Sequence, residues 1–144
     1  MCYCGIAESF FSVMITTVNI LLWGFGQMII RIIKLGNYIY ENIEPYYIDE
    51  NGNKIWNIPT DINELKQALI DTVRWQVHKK LQETDWIVVK CVEKGLDPTE
   101  EYPEEVTLRQ KIRDWCNQKE EEIQNAESIE DLLAIDVKIP YERG

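Results

Sequence analysis

The chain has 144 residues, with 15 basic and 25 acidic side chains and a formal net charge of −10. This length suits one domain with its own core. Only Glu8, Arg31 and Lys34 are charged within residues 1–35, so residues 36–144 hold 13 basic and 24 acidic side chains, a net charge of −11. Because such acidity repels phosphate backbones, it argues against nucleic-acid binding. It suits a soluble protein that must avoid self-association, or one whose partner is basic.

The cysteines and the single histidine form no recognisable chemical motif. Cys2 and Cys4 are too close in sequence, and too far from Cys91, Cys116 and His78, to predict a zinc site, so the cysteines are interpreted as reduced thiols. The sequence also has no glycine-rich phosphate loop and no nucleophile elbow. It therefore predicts no enzyme activity, no metal and no cofactor.

The N-terminal part of the chain contains a long uncharged run, Phe10 to Ile30. Its length matches a membrane-spanning helix, and Arg31 and Lys34 would place the C-terminal side of that helix in the cytoplasm. Two other interpretations stay open. Residues 1–28 are an accessory segment or an overextended start, with synthesis beginning at Met28, or the run is a buried core helix.

Residues 29–59 are rich in β-branched and aromatic side chains and predict short strands. Tyr46–Ile48 and Lys54–Trp56 flank Asn51-Gly52, a turn dipeptide, and should pair antiparallel. Strands this short must pack on the helices, on a partner or on copies of themselves, so a homo-oligomer is one alternative. Tyr46 and Trp56 either form a recognition surface or cover the apolar face of their own hairpin.

A helical hairpin is predicted for residues 60–136. Asp61 followed by Glu64 is a capping pattern, and apolar residues then recur every three or four positions. A local adjustment is expected at Thr84-Asp85, and Gly95 should end the first helix. The predicted core side chains of this helix are Leu69, Val73, Val77, Leu81 and Trp86.

The second helix of the hairpin should begin at Pro103, which suits a first helical turn. Ile112 and Trp115 lie on its predicted inner side, and Trp86 and Trp115 are expected to lock the two helices together. Ser128 should cap a short third helix, Ile129 to Ile135, followed by a loose tail at residues 137–144. The predicted fold class is α+β, mainly α: a short N-terminal β-hairpin, an antiparallel helical hairpin and a short capping helix.

Residues 46–135 contain two short sequence elements, one in each long predicted helix. Leu81-x-x-Thr84-Asp85-Trp86 is followed by an Arg109-Gln-x-Ile-Arg113 element. This pattern resembles the helical region of phage tail assembly chaperones and tail-fibre assembly proteins. The resembling segments are Arg74–Lys90, Glu93–Gly95, Leu108–Asp114 and Ala126–Ala134.

The resemblance implies a protein of the bacteriophage tail module that works by protein–protein contact. Its partner would be a tail or tail-fibre protein, met in the host cytoplasm during assembly or in the virion tail. Asp85, Arg109 and Arg113 would either pair within the hairpin and set its register, or form an exposed patch that grips the partner. The alternative function is a single-pass membrane protein, anchored through residues 10–30, with an acidic cytoplasmic helical hairpin.

Overall fold

The computed structural model describes residues 29–141 of the chain. Four strands come first, and they form two separate antiparallel hairpins. Five helices follow. The strands are β1 (Ile30–Leu35), β2 (Tyr38–Ile43), β3 (Tyr46–Ile48) and β4 (Lys54–Trp56). The helices are α1 (Ile62–Gln82), α2 (Asp85–Lys94), α3 (Pro98–Glu101), α4 (Pro103–Asn125) and α5 (Ile129–Leu133).

The first hairpin pairs β1 with β2 and packs against α1. Gly36 makes the turn between the strands with a φ of 64°, a conformation that glycine adopts without steric cost. The backbone N–H of Lys34 donates to the Thr72 hydroxyl at 2.7 Å, and that hydroxyl donates to the Ala68 carbonyl at 2.7 Å. A polar group buried in α1 thus satisfies the edge of β1.

The second hairpin confirms the predicted pairing of Tyr46–Ile48 with Lys54–Trp56, with Tyr47 opposite Ile55. The Asp49 carboxylate accepts from the backbone N–H groups of Asn51 and Asn53 and so closes the loop. Gly52 supplies the positive φ, 84°, that the turn dipeptide predicted.

The two long helices, α1 and α4, form the predicted antiparallel hairpin. Asp61 caps α1 by accepting from the N–H groups of its first turn. The start of α1 meets the end of α4, where Lys66 donates to the Gln124 carbonyl at 2.9 Å. Gly95 ends α2 in the left-handed conformation, and Pro103 occupies the first turn of α4, both as predicted.

The core lies where β1, α1 and α4 meet, and its members are branched aliphatic side chains. Four predicted core residues, Leu69, Val73, Val77 and Ile112, are buried there, while Leu81 and Trp115 are half-buried against its edge. The other buried members are Ile30, Ile32, Ile33, Ile58, Leu65, Ile70, Ile123, Leu132, Val137 and Ile139.

The prediction that Trp86 belongs to the hairpin core is wrong. α1 ends at Gln82 and α2 begins at Asp85. Ile87 and Cys91 of α2 are buried, whereas Trp86 is 53% exposed. Ile87 follows Leu69, and Cys91 follows Val73, by about five helical turns, so both lie on the side of the inner stripe. Trp86 follows Val77 by about two and a half turns and therefore lies on the opposite side.

The C-terminal segment also differs from the prediction. Ser128 caps α5 as expected, but α5 ends at Leu133 rather than Ile135. The loose tail predicted from residue 137 onward is corrected for residues 137–141, since Val137 and Ile139 are buried in the core. Gln76 of α1 holds this segment: its side-chain amide donates to the Val137 carbonyl at 2.7 Å and accepts from the Ile139 N–H at 2.9 Å.

The membrane segment predicted at residues 10–30 lies outside the described residues, apart from its last two positions. Of these, Ile30 opens β1 and is buried. Among the helices of residues 29–141, none combines the length and the apolar character that crossing a bilayer requires.

Candidate protein-binding surface

Arg109 joins α4 to the break between α1 and α2. One terminal nitrogen of its guanidinium donates to the Leu81 carbonyl at 2.8 Å and to the Thr84 hydroxyl at 2.6 Å. The other nitrogen donates to the Asp85 carboxylate at 3.0 Å. The Arg109 side chain is only 11% exposed, so its bonds to Leu81 and Thr84 form partly out of water, whereas the Asp85 side chain is 55% exposed. Together the three bonds fix where α2 leaves α1.

The structure therefore separates the three charged residues proposed to bind a partner. Asp85 and Arg109 pair with each other, which is the register-setting alternative. Arg113 lies one turn further along α4 and is exposed. Of the three, Arg113 offers its charge most freely to another protein.

Tyr46 and Trp56 form an aromatic pair on the β3–β4 hairpin. Their ring centroids are 5.2 Å apart, and Lys54 Nζ lies 4.0 Å from the Tyr46 centroid and 4.6 Å from that of Trp56. Both side chains are half-buried, and Trp56 packs against the core. These contacts are typical of side chains that cover their own hairpin, so the two aromatics are largely occupied within the fold.

The outer face of α2 is a candidate surface that sequence reasoning missed. This face consists of Trp86, Val88, Val89 and Val92, all exposed; Val89 is 55% and Val92 76% exposed. The signal is present in the sequence of α2, where the apolar residues spread over most of the circumference and leave only the side of Lys90 and Lys94 without an apolar side chain. The prediction that Trp86 belongs to the hairpin core hides this signal.

The end of the hairpin that carries this face is strongly acidic. Residues 85–108, named here the hairpin tip, hold seven acidic and two basic side chains, a net charge of −5. Asp97 caps the short helix α3, and hydrogen bonds from the hydroxyl and the N–H of Thr99 hold the pKa of its carboxyl below the usual value. Asp97 therefore stays negatively charged at neutral pH.

The tip is closed by contacts around Tyr102. Its ring packs edge-on against Trp86, with the centroids 5.6 Å apart, and its hydroxyl accepts a hydrogen bond from Lys90 at 2.8 Å. This hydrogen bond raises the pKa of Lys90. These contacts leave one side of Trp86 in the outer face of α2.

The thiol of Cys116 on α4 is held in its protonated form. Burial, followed by the neighbouring Glu120 carboxylate, raises the pKa of Cys116 to about 11. Arg74 donates two hydrogen bonds to Glu120, at 2.9 and 2.8 Å, and these hold the pKa of that carboxyl below its usual value. At neutral pH the thiol is thus neither a thiolate nor close to one.

Two grooves beside β1 are small for a ligand site. They measure about 180 and 240 Å³, below the roughly 300–1,000 Å³ usual for ligand pockets. Within residues 29–141, no group of three or more histidine, cysteine, aspartate and glutamate side chains is placed to hold a metal ion. His78 is exposed on α1.

Arg113 and the outer face of α2, both on the helical hairpin, are thus two exposed surfaces of the described residues. Comparison of the chain with protein-family models, with curated proteins and with solved structures found no match.

Proposed function

We propose that this chain is a bacteriophage tail-module protein, an assembly chaperone or a small tail-fibre-associated subunit. It acts by binding another polypeptide and not by catalysing a reaction. Its partner is a tail or tail-fibre protein, met in the host cytoplasm during assembly or retained in the virion tail.

The observation that carries this proposal is the Arg109 junction. The Leu81-x-x-Thr84-Asp85-Trp86 element and the Arg109-Gln-x-Ile-Arg113 element are far apart in sequence, yet Arg109 bonds to three residues of the first element. Both short motifs that resemble the phage proteins therefore belong to one structural unit. Motifs that converge in this way support the resemblance more strongly than two unconnected matches would.

The experiment is co-expression of the full chain with the tail and tail-fibre proteins encoded beside it, followed by purification through a tag on the chain. We expect one of these proteins to co-purify at a fixed ratio. Arg113→Ala should weaken that complex and leave the melting temperature unchanged, because Arg113 is exposed. Absence of tail genes near the coding sequence, together with no co-purifying tail protein, would overturn the proposal.

A second candidate function is a single-pass membrane protein with an acidic cytoplasmic hairpin. It is favoured by one feature of the sequence, the uncharged run from Phe10 to Ile30. Membrane fractionation of the chain with and without residues 1–27 distinguishes the two candidates. Pelleting that resists carbonate and depends on those residues would favour the membrane protein, and recovery of both forms in the supernatant would exclude it.

A further inference from the structure

The outer face of α2 is an apolar surface without a cover among residues 29–141. Trp86 and Val89 are three residues apart, as are Val89 and Val92, and Val88 lies four residues before Val92. Side chains at these spacings are neighbours on a helix surface, so the four form one continuous patch. All four are exposed.

Burial on the opposite side of α2 makes this patch unusual. Ile87 and Cys91 already pack into the protein, so the valines and Trp86 are not needed to attach α2. A contiguous exposed apolar patch marks an interaction site. The outer face of α2 is therefore suited to contact with another surface.

The charge around the patch indicates what covers it. Asp85 lies four residues before Val89 and Glu93 four residues after it, so both carboxylates share the patch side of α2, while Lys90 Nζ lies 5.8 Å from the centroid of the Trp86 ring. The whole hairpin tip has a net charge of −5, and Arg109 adds a single positive charge at its base, opposite Asp85. A two-fold contact between copies would set this acidic tip against itself, because such contacts join the same patch on both subunits. The run Phe10–Ile30 has no charged side chain that could pair with the carboxylates of the hairpin tip. Anionic lipid surfaces would repel the same carboxylates.

We propose that the outer face of α2 binds an amphipathic helix of a partner protein whose apolar side is flanked by lysine or arginine. The small valines leave a shallow surface on which larger apolar side chains can rest, and Trp86 provides one wall. Basic residues beside the apolar side of the partner face the carboxylates of the tip, which favours this partner over an acidic one. This inference rests on the proposed function only in that both require a polypeptide partner.

The test measures binding of two synthetic amphipathic helices of about 18 residues to the full chain by isothermal titration calorimetry. One peptide consists of leucine and lysine at helical spacing, and the other replaces each lysine with glutamate. We expect saturable binding of the lysine peptide and at least about tenfold weaker binding of the glutamate peptide. Raising the salt from about 50 mM to about 500 mM should weaken the first interaction by screening it.

The variant that tests the surface is the double substitution Val89→Ser and Val92→Ser. Valine and serine have similar helix propensities, so α2 should persist, as circular dichroism can verify. The matched control is Tyr38→Ser with Ile48→Ser, which removes two exposed apolar side chains from the strands. We expect the α2 variant to bind the lysine peptide at least about tenfold more weakly and the control to bind as the parent chain does.

Several results would overturn the inference. These are no saturable binding of the lysine peptide, equal binding of both peptides, or equal loss in the α2 and control variants. A dimer in sedimentation equilibrium that the α2 variant abolishes would also overturn the inference, and so would pelleting with phosphatidylcholine vesicles that depends on the two valines.

The inference and the proposed function can fail separately. If a tail protein co-purifies equally with the parent chain and the α2 variant, the inference fails and the proposed function stands. If the lysine peptide binds but no tail protein co-purifies, the inference stands and the proposed function fails.

Discussion

At the scale of single residues, a few buried polar side chains decide how the elements join. Arg109 donates to the Leu81 carbonyl, which also accepts from the Thr84 N–H at the end of α1. Gln76 uses both ends of its amide to hold the C-terminal segment. Each of these side chains bonds to backbone groups more than 25 residues away in sequence, so each fixes a tertiary contact rather than a local turn.

Loss of Arg109 should destabilise the protein. Arg109→Ala removes three hydrogen bonds from a charged donor in a largely buried position, so we expect the free energy of unfolding to fall by about 1.5–3 kcal/mol. Arg109→Lys should recover less than half of that loss, because one ammonium cannot bridge three acceptors as a guanidinium does. Urea denaturation measures the free energy of unfolding of both Arg109 variants, and Arg113→Ala is the control at an exposed position. Equal losses in Arg109→Ala and Arg113→Ala would contradict the role of Arg109 in joining α4 to the start of α2.

The ion pair between Arg74 and Glu120 should make stability depend on pH in acid. Because the pKa of Glu120 is lowered in the folded state, the pair contributes above the ordinary value of 4.5 and is lost as the pH falls through the folded value. At pH 7 the free energy of unfolding of the parent chain should exceed that of Glu120→Gln by about 0.2–1 kcal/mol. The difference is small because Arg74 is largely exposed.

Urea denaturation between about pH 7 and pH 3 follows this difference between parent and Glu120→Gln. The difference should shrink steadily below pH 4.5. Glu121→Gln removes the same charge from the same helix without touching the Arg74 pair, and it serves as the control. A gap between parent and Glu120→Gln that is constant or widens in acid would show that the ion pair is not its source.

At the scale of elements, the passage from α1 to α2 matters most. Thr84 starts α2 with a non-helical backbone, yet the inner stripe of α1 carries on into α2. Ile87 lies about five helical turns after Leu69, and it is buried. Trp86 lies about two and a half turns after Val77, so it falls on the exposed outer face of α2.

Substitution of Trp86 and of Ile87, which are neighbours on α2, should show which of the two side chains is buried. Ile87→Ala is expected to lower the free energy of unfolding by about 2–5 kcal/mol, as for a buried isoleucine. Trp86→Ala should cost only about 1 kcal/mol, chiefly the edge-on contact with Tyr102. Thermal and urea denaturation of the pair provide the measurement, and a larger loss for Trp86→Ala than for Ile87→Ala would contradict the described packing.

At the scale of the whole molecule, the C-terminal segment completes the core that the N-terminal hairpin begins. Val137 and Ile139 are buried in the same cluster as Ile32 of β1. Arg31 of β1 pairs with Asp136 at 2.7 Å, so the two ends of the described chain meet at one place. Elements from opposite ends of the chain are thus parts of one core.

Removal of the C-terminal segment should therefore destabilise the entire fold. Ile139→Ala is expected to cost about 2–4 kcal/mol through lost burial. Ending the chain after Asp136 should cost more, because it also leaves the buried amide of Gln76 without its partners at Val137 and Ile139. Pro140→Ala, at an exposed position, should change stability by less than about 0.5 kcal/mol. Unfolding curves for the truncated chain that overlay those of the parent would contradict this packing.

The sequence by itself determined the local features of the fold. Asp61 caps α1, Gly95 ends α2, Pro103 begins α4 and Asn51-Gly52 makes the turn between β3 and β4. Each of these residues acts through its own backbone conformation or its nearest neighbours. The apolar spacing of α1 likewise predicted the buried side chains Leu69, Val73 and Val77, since one continuous helix presents one face.

Only the tertiary structure decided where the C-terminal segment lies and what Arg109 bonds to. The segment from Val137 to Ile139 has no helical or strand pattern, and its burial depends on Gln76 and the space beside β1. Arg109 bonds to Leu81, Thr84 and Asp85, which lie 28, 25 and 24 residues earlier in the chain. Both outcomes come from contacts between distant residues, which local sequence periodicity does not encode.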